Sequence, residues 1–207
     1  MEKTKIAKSF VFVLMLGVVI LGACSPEKSN EYDKYYTELK AQPIILPIKD
    51  IKFISSYAPR LREPNVEHLL YVQPEQMIHK WAQNNLETST DKTGIARFLI
   101  KNASIVKTVE KNNTDEYEAC FDIVLQILDK DGRILLELPK EIRKTAGISK
   151  NATQREKKQL WLFLTYDLIA RLNYELKTEW PEAKASLYKI KKDSFDQMLD
   201  SFSEDEE

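Results

Sequence analysis

Between Cys120 and Pro139 the chain reads CFDIVLQILDKDGRILLELP, and few folds can hold those twenty residues. Phe121, Ile123, Leu125 and Ile127 alternate with more polar neighbours, and Ile134, Leu136 and Leu138 do the same. Alternation with period two is the pattern of a strand buried on one face. Asp131-Gly132 between the two runs predicts a two-residue hairpin turn, because both central residues of such a turn need positive φ. That turn sets Ile127 opposite Leu136 and Leu125 opposite Leu138, so both apolar rows share a face. Asp122, Val124 and Gln126 then point the other way. This second face is not wholly polar, which leaves room for a further layer or a ligand.

A sheet with one apolar face needs a cover, and the C-terminal third supplies it. Thr153 and Glu156 stand three apart, the spacing of a capping box at a helix start. Leu160, Trp161, Leu164, Leu168, Leu172 and Leu176 follow at intervals of three and four, one apolar stripe on a helix. Lys157, Lys158, Asp167, Arg171 and Glu175 take the opposite side. Pro181 is expected to end or kink this helix. Residues 182–207 read as a charged, frayed tail. A short helix near Phe195 to Leu199 would let Phe195, Met198, Leu199 and Phe202 dock on a partner.

Upstream, IILPIKDIKFISS mixes β-branched and aromatic residues, with Ile51 and Phe53 on one face and Lys52 on the other. It predicts a strand interrupted near Pro47. Residues 55–68 read as a long loop, and Leu69 to Val72 as a short extended piece. Pro74 suits the first position of a helix and Glu75 suits its positive end. Ile78, Trp81, Ala82 and Leu86 form its stripe, with an end between Thr88 and Thr93. Ile95 to Val109 is strand-rich but too long for unbroken alternation, so a bulge is expected at Lys101 to Ala103. A loop from Gly147 to Glu156 leads to the last helix. The expected fold class is α+β: a small antiparallel sheet of about four strands packed against two helices, the longer one C-terminal.

The N-terminus carries a different kind of information. Lys3, Lys5 and Lys8 precede an apolar run from Phe10 to Ala23. The run is shorter than the roughly 20 residues that span a bilayer. A basic start, a short apolar segment and small residues at its end have the form of a secretory signal peptide. Leu21-Gly22-Ala23-Cys24 resembles the lipobox of bacterial lipoproteins. The resemblance implies cleavage between Ala23 and Cys24, with palmitate-type acylation of Cys24. Ser25 in place of Asp implies sorting to the outer membrane, facing the periplasm, rather than retention in the inner membrane. The expected organisation is signal peptide 1–23, flexible tether 24–42, one globular domain 43–181 and the charged tail 182–207.

Charge and composition narrow the function classes. The formal net charge of the 207-residue chain is −1, and the first 23 residues hold three lysines against one acid. The remainder therefore sits near −3, without the basic face that nucleic acid requires. Only Gly94, Gly132 and Gly147 follow the signal segment, which leaves no glycine-rich phosphate loop and no nucleophile elbow. His68 and His79, eleven apart, match no zinc spacing. DKDG, 129–132, fails as a calcium loop, because the first and last ligand positions would fall on Ile127 and Leu138. Cys120 is expected to be a small buried strand residue rather than a nucleophile. Glu137 sits between two leucines, and alternation points it outward. Asn102, Asn112 and Asn151 begin glycosylation-type triplets, a pattern to which the lipoprotein resemblance gives little meaning. No catalytic residue, metal site or cofactor is expected, and the ligand is left unspecified.

The segments EQMIHKWAQNNL, FLIKNASIV, YEACFDIVLQILDKDGRIL and ATQREKKQLWLFLTYDLIARLNYEL follow the order seen in auxiliary lipoproteins of envelope ABC-type lipid transport systems. The body resembles that family from Pro74 to Glu179. The resemblance implies a non-enzymatic accessory of envelope lipid transport, bound to the membrane by its lipid and to an envelope complex by its domain. The alternative reading is a cell-wall-linked structural lipoprotein, or an activator of a peptidoglycan enzyme.

Overall fold

The strands predicted around Asp131-Gly132 form one side of a four-stranded sheet. The computed structural model describes residues 43–89, 94–111 and 113–204, so residues 1–42, with Ala23 and Cys24, lie outside the described part. The elements in chain order are β1 (Ile44–Leu46), β2 (Asp50–Ser55), α1 (Pro74–Asn85), β3 (Leu86–Thr88), β4 (Ile95–Lys111), β5 (Thr114–Leu128), β6 (Ile134–Ser149) and α2 (Gln154–Glu204). The main sheet has the order β2-β4-β5-β6, and β1 with β3 makes a separate two-stranded pair. β4, β5 and β6 form an antiparallel meander, and β2 joins its edge in parallel. The fold is thus α+β, with a mixed four-stranded sheet, two helices and the longer helix C-terminal.

The expected register of the β5–β6 hairpin is the observed one: Leu125 pairs with Leu138 and Ile127 with Leu136. The turn differs from the expectation. Gly132 has φ 83° while Asp131 is not left-handed, so the loop spans the three residues Lys130 to Gly132. A type I turn with glycine in the last loop position produces this geometry, with a compensating bulge in the strand. The Asp129 carboxylate fixes it by accepting from the amides of Asp131 and Arg133 at 2.8 and 2.9 Å. The bulge expected in β4 falls between Ile100 and Asn102. Gly94, at φ 93°, opens β4, where a Cβ would lie 2.1 Å from the carbonyl oxygen of Leu128.

Both helices cover one face of the sheet. Trp81 of α1 packs on Phe98 with ring centroids 6.1 Å apart, and Trp161 of α2 meets Tyr117 edge to face at 5.4 Å. Phe98, Phe121, Ile123, Leu125 and Ile127 meet Leu164, Leu168, Leu172 and Leu176, all at 1% exposure or less. The layer between helix and sheet is a filled core, not an open groove.

Besides the turn, and the sheet that is mixed rather than antiparallel because β2 joins in parallel, four further expectations change. The first helix stops at Asn85, and Leu86 starts β3, because pairing with Ile44 of β1 draws it into extended backbone. Leu69 to Val72 is not a strand; a 3-10 turn spans Glu67–Leu69 instead. β6 runs on to Ser149, so Gly147 to Ser149 are strand and not loop. The last helix passes through Pro181 as far as Glu204. An interior proline costs roughly 3 kcal/mol. Pro181 itself is exposed, whereas Trp180, Ala183 and Leu187 at and beyond the expected end are buried. Burying one Trp and one Leu contributes about 1.5–3 kcal/mol each, enough to carry the helix past the proline and into the segment expected to fray.

Candidate functional site: a loop pinned by a buried carboxylate

The edge of β4 is occupied twice. β2 lies along its first half, from Asp50 opposite Ile95 to Ser55 opposite Ile100. The chain then leaves the sheet, and residues 64–66 return to pair with the second half. The Val66 amide donates to the Ile105 carbonyl at 2.9 Å and the Lys107 amide to the Pro64 carbonyl at 2.8 Å. Asn65 forms an isolated antiparallel bridge with Val106.

Glu67 locks this return, with 0% of its surface exposed. One oxygen accepts from the Tyr57 hydroxyl at 2.5 Å and from Asn65 Nδ2 at 3.1 Å, and the other accepts from the Ile105 amide at 3.2 Å. A buried carboxylate is tolerated only when donors replace its water, and here three do. Burial, and then the neighbouring Glu67 oxygen, hold the Tyr57 phenol protonated far above the ordinary phenol range. The network thus ties both ends of the loop to the middle of β4. No local motif announced it, since Tyr57, Asn65 and Ile105 are brought to Glu67 only by the fold.

With its backbone fixed, the loop displays apolar side chains to solvent. Leu61 is 74% exposed and Tyr71 100%. Leu69 and Val72 are also exposed, while Val66 and Leu70 turn inward to the core. Arg60 and Arg62 flank Leu61 and are exposed. This combination of aromatic, aliphatic and arginine side chains on an ordered segment is the composition of protein-binding surfaces.

The residues singled out by chemistry are not assembled into a site. His79 stacks edge-on against Phe53 with centroids 5.3 Å apart, and His68 lies half-buried in the 3-10 turn. Cys120 is buried, as expected, and burial pushes its thiol pKa up. It lies in register with Ser104 and Arg143, with no histidine beside it. Glu137 points outward and accepts a hydrogen bond from Gln126 Nε2 at 2.6 Å. The second strongly buried carboxylate, Asp115, is structural. It pairs with Lys107 at 3.1 Å and with Lys157 at 2.9 Å, joining the sheet to the start of α2. The hydrogen bond from Lys157, then that from Lys107, hold its pKa below the ordinary range against the effect of burial. Lys140 reaches the carboxylate of Glu179, and Lys144 that of Asp167 at 3.1 Å. Among the described residues no group of three His, Cys, Asp or Glu side chains could hold a metal ion, and no helix is long and apolar enough to cross a membrane.

No protein-family model and no curated protein matches the sequence. Solved structures resemble part of it. A minor lipoprotein from Acinetobacter baumannii is 13% identical, over 66% of this chain and 92% of that one, with a TM-score of 0.38. A Xanthomonas campestris protein of the DUF330 family is 10% identical, over 74% of this chain and 91% of that one, with a TM-score of 0.42. An uncharacterised lipoprotein B from Nitrosomonas europaea is 15% identical, over 64% and 84%, with a TM-score of 0.39. At these scores the function of this chain rests on its own residues.

Proposed function

We propose that this chain is a lipid-anchored, non-enzymatic binding module of the bacterial envelope, acylated at Cys24, held on the periplasmic face of the outer membrane, and accessory to a lipid-transport complex. Its docking element is the loop from Ser56 to Gln73. The observation that carries this reading is the pairing of a backbone fixed by Glu67 with the exposed side chains of Leu61, Leu69, Tyr71 and Val72. A preordered loop loses little entropy on binding, so its apolar contacts convert more fully into affinity. The Leu21-Gly22-Ala23-Cys24 sequence supports the anchor, and the order of elements from Pro74 to Glu179 supports the transport assignment.

Two experiments test it. A photo-crosslinking residue at position 71, illuminated in intact envelopes, is expected to capture a component of a transport complex. Capture should fall at least about tenfold when Leu61 and Val72 are both changed to Ser, as truncation of central contacts predicts. Sedimentation of the protein with purified sacculi, without capture of a transport component, would overturn the reading in favour of the cell wall. Cys24→Ser is expected to abolish palmitate labelling and membrane fractionation; unchanged labelling would remove the anchor assignment.

A further inference from the structure

The sheet face turned away from α1 and α2 has no element packed over it among the described residues, and the register sorts its side chains into rows. Lys52, Arg97, Gln126 and Glu137 lie side by side across β2, β4, β5 and β6. Ile54, Leu99, Val124 and Pro139 form the next row. Beyond the bulge come Asn102, Asp122 and Glu141, and on the opposite flank Ile95, Leu128 and Ile134. Ile54 is 40% exposed and Ile134 52%.

Charge divides this face down its midline. The β2–β4 half carries Lys52 and Arg97, with Asp50 at its margin. The β5–β6 half carries Asp122, Glu137 and Glu141. Arg143 on that half is occupied by Glu118 and Glu141. No ion pair engages Lys52 or Arg97 among the described residues.

We propose that this face binds a second copy of the same chain, sheet on sheet, about a two-fold axis parallel to the strands between β4 and β5. That rotation reverses strand order, so β2 of one copy lies over β6 of the other. Lys52 then faces Glu137 of the second copy, and Arg97 faces Gln126 with Glu137 beside it. Leu99 faces β5 of the second copy, and Ile54 meets Pro139. Each contact occurs twice, as an isologous interface requires. Stacked sheets sit about 10 Å apart, the room taken by one interdigitated layer of side chains. Three long strands and a short edge strand present on the order of 800 Å² in projection, close to one partner's share of a standard interface. A face with one basic and one acidic half complements itself on rotation. An anionic lipid surface would instead be repelled by the Glu137–Glu141 half.

The test uses the full chain in detergent and two charge-reversed variants: Lys52→Glu with Arg97→Glu, and Glu137→Lys with Glu141→Lys. By sedimentation velocity the wild type is expected to be a dimer. Each variant alone should self-associate at least about a hundredfold more weakly, since like charges then face each other. An equimolar mixture should recover the dimer, because the acids introduced on β2 and β4 of one variant meet the lysines introduced on β6 of the other. Recovery also shows that both variants are folded. A monomeric wild type, variants that dimerise as well as the wild type, or a mixture that stays monomeric would overturn the proposal. Each of these results is independent of crosslinking at position 71.

Discussion

The two faces of the sheet are drawn from alternate residues of the same strands, yet they are buried by different means. On the inner face Phe98, Phe121, Ile123 and Ile127 are closed by two helices. On the outer face Val124 and Leu128 are 1% exposed and Cys120 3%, with no described element above them. They sit in a central strand, with Arg97, Gln126, Glu137 and Arg143 at neighbouring outward positions of the register. The edge residues discriminate better. Ile142 on the inner face of β6 is buried, whereas Ile134 and Pro139, outward on the same strand, are exposed.

The contrast can be broken at several points. Phe121→Ala should have the largest effect, about 3–5 kcal/mol from lost contacts and a residual cavity. It would be read as a lower urea midpoint at unchanged slope. Glu67→Gln attacks the seam at the edge of β4, which belongs to neither face. Disturbing one of three donor contacts should cost about 1–3 kcal/mol. The amide of Ile105 should exchange faster with deuterium while that of Ile123 stays protected; equal protection at Ile105 would show that the loop is held by other contacts.

Asp115→Asn should cost about 1–2 kcal/mol near neutral pH, through loss of two charge-assisted contacts. Its pH dependence has a definite sign. A carboxylate held below its ordinary pKa contributes stability that is present above about pH 4 and lost as pH falls through the lowered folded value. The urea midpoint of the wild type should fall more steeply below about pH 4 than that of Asp115→Asn; parallel profiles would remove Asp115 from the account. Ile54→Thr on the outer face should matter least, within about 0.5 kcal/mol for the monomer at high dilution. A loss near that of Phe121→Ala would mean that the outer face is covered within a single chain.

Legibility in the sequence followed the reach of each interaction. The hairpin register was readable because turn and alternation lie within twenty residues of each other. The end of β6 was not, because its inward positions are Lys140, Ile142, Lys144, Ala146 and Ile148. Two of these five are lysines, and their inward placement is satisfied by Glu179 and Asp167 on α2. A strand whose charges are neutralised by a distant helix reads locally as a loop. The same reasoning applies to Pro181, whose local effect is outweighed by burial of Trp180 and Leu187. It applies most strongly to Glu67, an ordinary acid in a long loop until Tyr57 and the Ile105 amide are brought to it. The candidate docking loop was therefore the least legible part of the molecule, whereas the proposed anchor at Cys24 rests on four adjacent residues.

The parallel attachment of β2 has a consequence for the order of assembly. β4, β5 and β6 are joined by short turns, so their pairing closes only small loops and can propagate from either hairpin. β2 must instead bring Ser55 to Ile100 across all of α1, a closure whose entropy is spent before any contact returns it. The meander is thus the natural nucleus, and β2, with the loop from Ser56 to Gln73 behind it, the last piece to seat. Substitutions at Ile127 should then slow folding, whereas those at Phe53 should chiefly speed unfolding. Equal effects on the folding rate would contradict this order. On this scheme the chain acquires its scaffold before the loop pinned by Glu67 is seated.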